Sequence, residues 1–417
     1  MSRSRRNQKI IRSGIALISR GLLHELNAII SRKRVQRRWW VKPWVSRRTN
    51  LGASSTLLRE WAEENPEVYR NHLRMNEEQF AYLLDKVTPL IRKKDTWFRE
   101  ALSPKIKLQM TLRYLATGDN IGTLSALYRI PRSTFSRFLP EVCRAIYNCL
   151  ADFIMVPNTV ESWENVMRDY ETLWNFPNVC GAMDGKHVTI RCPPKTGSQY
   201  FNYKKDFSTI LFAIVDANYN FIYIDVGTNG RVNDAAVFAK STFNEALQKN
   251  SLNIPEQGIF VADDAFPLRT NILKPYSRCG PLTEKQKIFN YRLSRARRVV
   301  ENTFGILVSK FRIFEKPIPL SIQTTEQVVK TTCALHNWLR KTSTPIHPYI
   351  KRDMLDIENW EEGRVQPGTA TQHPHSGLEE ISHGASNNYS RAAGEVRNYY
   401  AECFVTTHIV PWQLKMI

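Results

Sequence analysis

Three carboxylates occupy positions where they could hold divalent metal ions. Asp184 lies inside an apolar run that predicts a β-strand over 179–191, and Asp263 ends a second predicted strand. A carboxylate inside such a run is costly unless a metal ion or another cation meets it. Glu301 sits on a predicted helix, at the margin of its apolar stripe. Because Mg²⁺ and Mn²⁺ take hard oxygen ligands, these three residues are candidates for metal-dependent cleavage or joining of phosphodiesters.

Each of the three carboxylates also has an ordinary structural explanation. Asp184 could be a turn residue, and Asp263 could cap the segment that follows it. Glu301 could pair with Arg297 or Arg298 on its own helix, as a weak surface ion pair. The residues alone therefore leave the metal site and these explanations about equally supported.

The predicted elements bring the carboxylates together. Helical periodicity runs with interruptions from 56 to about 174, with a helix start at Ser103-Pro104 and a stop at Gly118. Further elements follow in the order β, β, β, α, β, α, α, at 179–191, 207–217, 220–228, 234–249, 258–262, about 294–311 and 325–341. This order is typical of an α/β fold with a ribonuclease-H-like mixed sheet. The first and fourth strands can then be neighbours, which places Asp184 beside Asp263.

The chain length predicts two or three domains, because single cores rarely grow beyond about 250–300 residues. We assign 1–50 to a basic arm, 51–175 to an all-α DNA-binding domain, 176–345 to the ribonuclease-H-like domain and 346–417 to a tail. The tail is expected to be largely disordered, since 361–396 is rich in Gly, Ser, Asn, His and Pro. Its last twenty residues are apolar again and could dock as a terminal helix.

Charge indicates a polyanionic partner. The chain carries 59 Lys and Arg against 39 Asp and Glu, a net charge of +20. Residues 1–50 hold +13 of it and 269–316 hold +9, while 351–417 carry −3. The arginine-rich clusters at 3–6 and 32–38 are typical of nuclear import signals or phosphate contacts, so we expect a nuclear protein. No apolar run is long enough to span a membrane, and the seven cysteines form no C-x2-C pair that would indicate zinc.

Residues 124–139 have the spacing of a helix-turn-helix, with the turn at Ile130-Pro131. Its second helix would expose four polar side chains to DNA: Arg132, Ser133, Ser136 and Arg137. The alternative is an ordinary helical hairpin, and Pro140 is expected to shorten the second helix.

Several motifs resemble those of the PIF/Harbinger transposases and their domesticated nuclease relatives. The motifs are GAMDGKH at 181–187, GSQYFNYK at 197–204, VADDAFPL at 261–268, RARRVVENTFG at 295–305 and LHN at 335–337. Upstream, WVKPW at 40–44, LRM at 73–75 and LRYLATG at 112–118 extend the resemblance over most of 38–342. The resemblance implies a DDE nuclease domain at 176–345.

The same resemblance implies roles for individual acids. Asp184, Asp263 and Glu301 match the three metal-binding acids of that family, which hold Mg²⁺ or Mn²⁺, two ions in all. The 37 residues between Asp263 and Glu301 fit the family type. Asp234 matches a further typical acid, an accessory ligand or a helix cap. Asp264 stands where relatives commonly have Glu or a small residue, which could confuse the assignment by one position.

The resemblance also implies a reaction and partners. A cut-and-paste transposase would cleave terminal inverted repeats of double-stranded DNA and join the 3′-hydroxyl ends to target DNA. It would act with a separately encoded Myb-like DNA-binding protein, and we expect a homo-oligomer. Lys186, His187 and Arg297 are candidates to steady the scissile phosphate. The basic candidates for DNA contacts near the site are Lys186, Arg295, Arg297 and Arg298. The alternatives are a domesticated, non-catalytic DNA-binding or chromatin protein and a structure-specific nuclease without strand transfer.

Overall fold

The computed structural model describes residues 14–23, 25, 41–97, 100–277, 280–345, 348–372, 377–380 and 388–417. The chain divides into two compact units, Met1–Arg47 and Arg48–Ile417. In the first unit, residues 14–23 are helical (α1) and a short helix α2 (Pro43–Ser46) follows. The arginine-rich clusters predicted at 3–6 and 32–38 lie outside the described residues. No described helix is long and apolar enough to cross a membrane.

The first part of the second unit is helical, as the periodicity predicts. Its helices are α3 (Arg48–Leu51), α4 (Leu57–Glu64), α5 (Pro66–Leu73), α6 (Glu77–Ile91), α7 (Pro104–Thr117), α8 (Ile121–Tyr128), α9 (Arg132–Leu150) and α10 (Val160–Trp174). Ser103 caps α7 with its side chain, and Gly118 ends it in the left-handed region at φ +61°. Pro140 does not shorten α9, which continues through it to Leu150 because the helix packs against α6 and a later helix.

A mixed sheet follows the helices. Its strands are β1 (Val179–Thr189), β2 (Ser208–Val215), β3 (Phe221–Asn229), β4 (Ile259–Val261) and β5 (Ile272–Leu273), in the spatial order β3-β2-β1-β4-β5. β1, β2 and β3 are antiparallel neighbours, whereas β4 runs parallel to both β1 and β5. The predicted adjacency of the first and fourth strands is confirmed. This mixed sheet is consistent with a ribonuclease-H-like domain.

Four helices cover the two faces of the sheet: α11 (Asp234–Lys240), α12 (Thr242–Gln248), α13 (Glu284–Lys310) and α14 (Ile322–Lys341). The single helix predicted over 234–249 is two helices, because Ser241 is extended and caps α12. α13 begins about ten residues before its predicted start, in a polar stretch. A capping box of Thr283 and Gln286 caps the first turn of the helix there. α11 and α12 lie over one face, and α13 and α14 over the other.

One hydrophobic core runs from the helical region into the sheet. Leu83 of α6 and Phe135 of α9 belong to the same buried cluster as Val215 of β2 and Leu335 of α14. The predicted boundary at 175/176 is therefore not a boundary between compact units. The physical reason is that α14 packs against both α9 and β3, so neither layer buries its apolar surface alone.

The prediction of a largely disordered tail is wrong for the part of the tail that the structure describes. A hairpin of β6 (Ile357–Asn359) and β7 (Arg364–Gln366) is followed by β8 (Leu378–Glu380), which pairs with β1, and by α15 (Arg391–Cys403). Phe404, directly after α15, packs against Phe176 and Phe289 with ring centroids 4.8 and 6.1 Å apart. These aromatic contacts anchor a segment whose composition suggested disorder.

Candidate metal centre

Asp184 and Asp263 lie side by side because of the register of two parallel strands. Ala182 of β1 pairs with Val261 of β4, and each aspartate comes two residues later on its own chain segment. Both carboxylates are buried. Asp184 accepts a hydrogen bond from the Gly185 amide at 3.0 Å, and Asp263 accepts one from the Ala265 amide at 3.0 Å. The sequence-predicted pair is therefore assembled at the carboxyl end of β4.

Asp234 is the third member of the cluster. It is the first residue of α11, directly after the capping residue Asn233, and its side chain is only 1% exposed. One carboxylate oxygen from each of Asp184, Asp234 and Asp263 lies within 4.8 Å of the other two. Within the described parts of the chain, Oδ1 of Asp234 has no hydrogen-bond partner. The residue expected only as an accessory ligand or a helix cap is thus one of the three buried carboxylates of the site.

The electrostatics of the cluster fit a divalent cation. Burial, together with the charges of Asp184 and Asp263, raises the pKa of Asp234 to about 8. Three converging carboxylates repel one another in a site with little water, and a hard cation bound by their oxygens would remove that repulsion. The donor set, oxygen atoms only and with an orphaned buried oxygen, suits Mg²⁺ or Mn²⁺ better than Zn²⁺, which favours nitrogen and sulfur ligands.

Glu301 lies outside this cluster. It is half-buried on α13 and forms an ion pair with Arg297, one turn earlier on the same helix. Burial alone would lower the pKa of Arg297, but Glu301, Asp184 and Asp263 together raise it. The guanidinium thus interacts both with Glu301 and with the aspartates. The structure brings together two of the three predicted ligands, and the role of Glu301 as a ligand stays a prediction.

Lys186 is the second cation at the site. Its Nζ lies 3.3 Å from Oδ2 of Asp184 and 3.5 Å from Oε1 of Glu380. Burial alone would lower the pKa of Lys186, but the charges of Asp184 and Glu380 raise it. Glu380 belongs to β8, whose pairing with β1 sets it opposite Lys186. No sequence pattern points to Glu380, because a three-residue strand in a polar tail has no periodicity to reveal it.

His187 does not face the carboxylates. Successive side chains of a strand point to opposite faces, so His187 points away from the side that Lys186 occupies. Its Nδ1 lies 3.0 Å from Oγ of Ser208, and burial and the charge of Lys204 lower its pKa to about 4. The proposed role of His187 at the scissile phosphate is therefore wrong, because the ring is neutral at pH 7 and turned away.

Two of the arginines predicted to contact DNA have partners within the chain. Arg295 donates to Oε2 of Glu358 at 2.8 Å, and Arg298 donates to Oε1 of the same residue at 2.8 Å. Arg298 also lies 3.9 Å from a carboxylate oxygen of Asp356. Their assignment as DNA contacts stays a prediction. The acids come from the segment around β6 that the sequence analysis took to be disordered, and they neutralise this part of the basic region.

The helix-turn-helix candidate consists of α8, a turn and α9. Arg129 ends α8 in the left-handed region at φ +51°, and α9 starts directly after Pro131. The four residues predicted to face DNA are all exposed at the start of α9: Arg132, Ser133, Ser136 and Arg137. This geometry does not separate a DNA-reading helix from an ordinary hairpin, so their DNA contacts stay a prediction.

Comparisons with known proteins cover the part of the chain that carries the aspartate cluster. Residues 183–337 match the family described as "DDE superfamily endonuclease". "Protein ALP1-like" of Arabidopsis thaliana is 23% identical over 290 residues, covering 66% of this chain and 70% of the relative. "Putative nuclease HARBI1" of Bos taurus is 23% identical over 297 residues, covering 67% of this chain and 84% of the relative. No solved structure matches.

Proposed function

We propose that this chain, which carries a DDE superfamily endonuclease domain at residues 183–337 and has Harbinger transposase-derived nucleases as relatives, cleaves double-stranded DNA with divalent metal ions. One observation supports this function above all others. Asp184, Asp234 and Asp263 converge in a buried cluster with a carboxylate oxygen that lacks a partner. Such a cluster costs stability unless a cation binds there.

The residues around the cluster have separate tasks in this proposal. The aspartates hold the ions, which when bound supply an activated water and stabilise the charge on the leaving oxygen. Lys186 and Arg297 lie within reach of the aspartates and provide positive charge for a phosphate of the DNA. Arg297 also holds Glu301 beside the site through their ion pair. When a DNA phosphate replaces Glu301 as the partner of Arg297, Glu301 is released and can approach the aspartates.

The finer activity is also a proposal. Cleavage at terminal inverted repeats, followed by joining of the released 3′-hydroxyl to target DNA, uses the same site twice without a covalent protein intermediate. We propose that the exposed start of α9 reads or holds the DNA. Nuclear location, a Myb-like DNA-binding partner and a homo-oligomer complete the proposal, and they rest on the resemblance and on the basic arm.

The test is a cleavage assay with the full-length chain, labelled duplex DNA and Mg²⁺ or Mn²⁺. Asp184→Asn, Asp234→Asn and Asp263→Asn should each reduce cleavage by about 10²-fold or more, because each removes a group that stabilises developing charge. Asp264→Asn is the matched control. Its residue is adjacent to Asp263 but is not part of the carboxylate cluster, so full activity is expected.

A second function has one observation in its favour. The ion pair of Glu301 and Arg297 leaves only two of the three expected acids in the cluster, which suits a DNA-binding protein that does not cleave. That function requires wild-type DNA binding in Asp184→Asn and no metal-dependent cleavage by the unmodified chain. Loss of binding in Arg132→Gln and Arg137→Gln would fit either function. Strand-transfer products from the unmodified chain would separate a transposase from a nuclease that only cuts.

A further inference from the structure

A second electrostatically crowded site lies in the helical part of the unit, and its charge is positive. A cavity of about 200 Å³ opens between the α5–α6 turn, the end of α13 and residues 339–344 and 348–351. Four cationic side chains line it: Arg70, Arg74, Lys310 and Lys351. The only carboxylate among the described lining residues is that of Glu67, which is exposed.

Arg74 builds the wall of this cavity. It ends α5 in the left-handed region at φ +66°. Its guanidinium donates to the backbone oxygens of Lys310 at 2.9 Å, Asn71 at 3.1 Å and Ala116 at 3.4 Å. These bonds tie the ends of α5, α7 and α13 together. The cavity is therefore a fixed feature of the fold, set by the helix ends that Arg74 connects.

The other three cations are not used in this way. Among the described residues, Arg70, Lys310 and Lys351 form no ion pair, and Nζ of Lys310 lies 5.1 Å from the ring centre of Tyr349. Burial and the charges of Arg74, Lys351 and Arg70 lower the pKa of Lys310 to about 8, against a smaller opposing effect of Asp353. One cation is enough to offset the partial negative charge at the C-terminal end of α13. The helix end therefore does not account for the other cations. Crowding of several like charges in a concave site is typical of a binding site for the opposite charge.

We propose that this cavity binds a phosphate group. Arginine and lysine together supply both the directed hydrogen bonds and the point charge that phosphate oxygens accept. The phosphate belongs to the backbone of the bound duplex. This choice of source rests on the proposed nuclease function. Lys310 lies nine residues after Glu301 on α13, about 13 Å along the helix, a distance that a duplex lying along this helix would span in about four base pairs.

The experiment compares the full-length chain with Lys310→Gln, Arg70→Gln and the double variant. Lys249→Gln is the matched control, since it removes one positive charge from an exposed helix end, on α12 at the other face of the sheet. Two probes are used. Thermal unfolding is followed with increasing inorganic pyrophosphate, and binding of a short duplex of arbitrary sequence is measured between 50 and 200 mM salt.

For a backbone phosphate, each single variant should weaken duplex binding about three- to tenfold and lower the magnitude of the salt slope by about 1. Lys249→Gln should retain the wild-type values. Pyrophosphate should raise the melting temperature of the wild type but not of the double variant. If pyrophosphate raises the melting temperature of the wild type only, while duplex binding is the same in all variants, the cavity is a phosphate site. Its ligand is then a free phosphate compound and not the DNA backbone. If neither probe distinguishes the double variant from Lys249→Gln, the proposal is overturned.

These outcomes are independent of cleavage. Wild-type protein that binds pyrophosphate at this cavity but never cuts DNA would refute the nuclease function and leave the phosphate site intact. Metal-dependent cleavage that is lost in Asp184→Asn would support the nuclease function. If phosphate and duplex binding are unchanged in the cavity variants of that active protein, the phosphate site is refuted.

Discussion

Asp234→Asn tests the carboxylate cluster through stability as well as activity. The substitution keeps the shape of the side chain and replaces a titratable carboxyl group that is 1% exposed by a neutral amide. Two opposite effects follow. The amide cannot supply the negative charge that is worth up to about 1 kcal/mol at a helix N-terminus such as the start of α11. It also needs no bound proton to be neutral in a buried site beside two other aspartates.

The second effect is the larger one. Burial, together with the charges of Asp184 and Asp263, raises the pKa of Asp234 to about 8, so at pH 7 the folded protein binds a proton there that the unfolded chain does not. At about 1.4 kcal/mol per pKa unit, this proton uptake costs on the order of 4 kcal/mol. Lys186 and Arg297 offset part of this cost. We therefore expect Asp234→Asn to raise the stability of the metal-free protein by about 2 kcal/mol. For a unit of this size, that corresponds to about 3 °C in melting temperature, from the average unfolding entropy per residue.

Metal should narrow the difference between the two proteins to below about 1 kcal/mol. A cation at about 100 times its dissociation constant stabilises the wild type by about 2.7 kcal/mol. A tenfold weaker site in Asp234→Asn would lose about half of that gain. Differential scanning fluorimetry with and without Mg²⁺ or Mn²⁺ measures both effects, with Asp264→Asn as the control. A lower metal-free melting temperature in Asp234→Asn, or an unchanged metal response, would refute the reasoning.

Three further results are expected. Glu380→Gln should strengthen duplex binding a few-fold in a titration at low salt, because Lys186 loses a competing carboxylate; weaker binding would show that Glu380 supports the site. Phe404→Ala should lower the free energy of unfolding by about 3–5 kcal/mol in urea denaturation, whereas a disordered tail would give no change. Burial lowers the pKa of His336 to about 4, so its neutral form stabilises the fold above about pH 6.5 and that contribution is lost as the pH falls toward 4. The melting temperature of His336→Gln should therefore change less between pH 7 and 5 than that of the wild type, and equal slopes would contradict this.

Local signals in the sequence were sufficient for most elements and for two of the acids. An aspartate within or directly after an apolar run is recognisable from neighbouring residues alone, which identifies Asp184 and Asp263. The caps at Ser103 and Gly118 mark the ends of α7 for the same reason, since capping depends on the adjacent backbone. The motifs around these residues also revealed the family resemblance.

Long-range contacts decided what local signals left open. Arg295 and Arg298 look like free cations until the strand that carries Glu358 is placed against α13. Phe404 belongs to the core only because α15 brings it back to Phe176 and Phe289. In both cases the partners are more than 50 residues apart in the chain, and no periodicity within a short window records such a pairing.

The sequence by itself determined which acids are available and which elements carry them, because strand and helix patterns repeat over a few residues. Only the tertiary structure decided which three of those acids meet. The register of β1 and β4 joins Asp184 to Asp263, and the start of α11 brings in Asp234, while Arg297 holds Glu301 apart. Convergence at one point depends on strand register and on competing ion pairs, and both are properties of the folded chain.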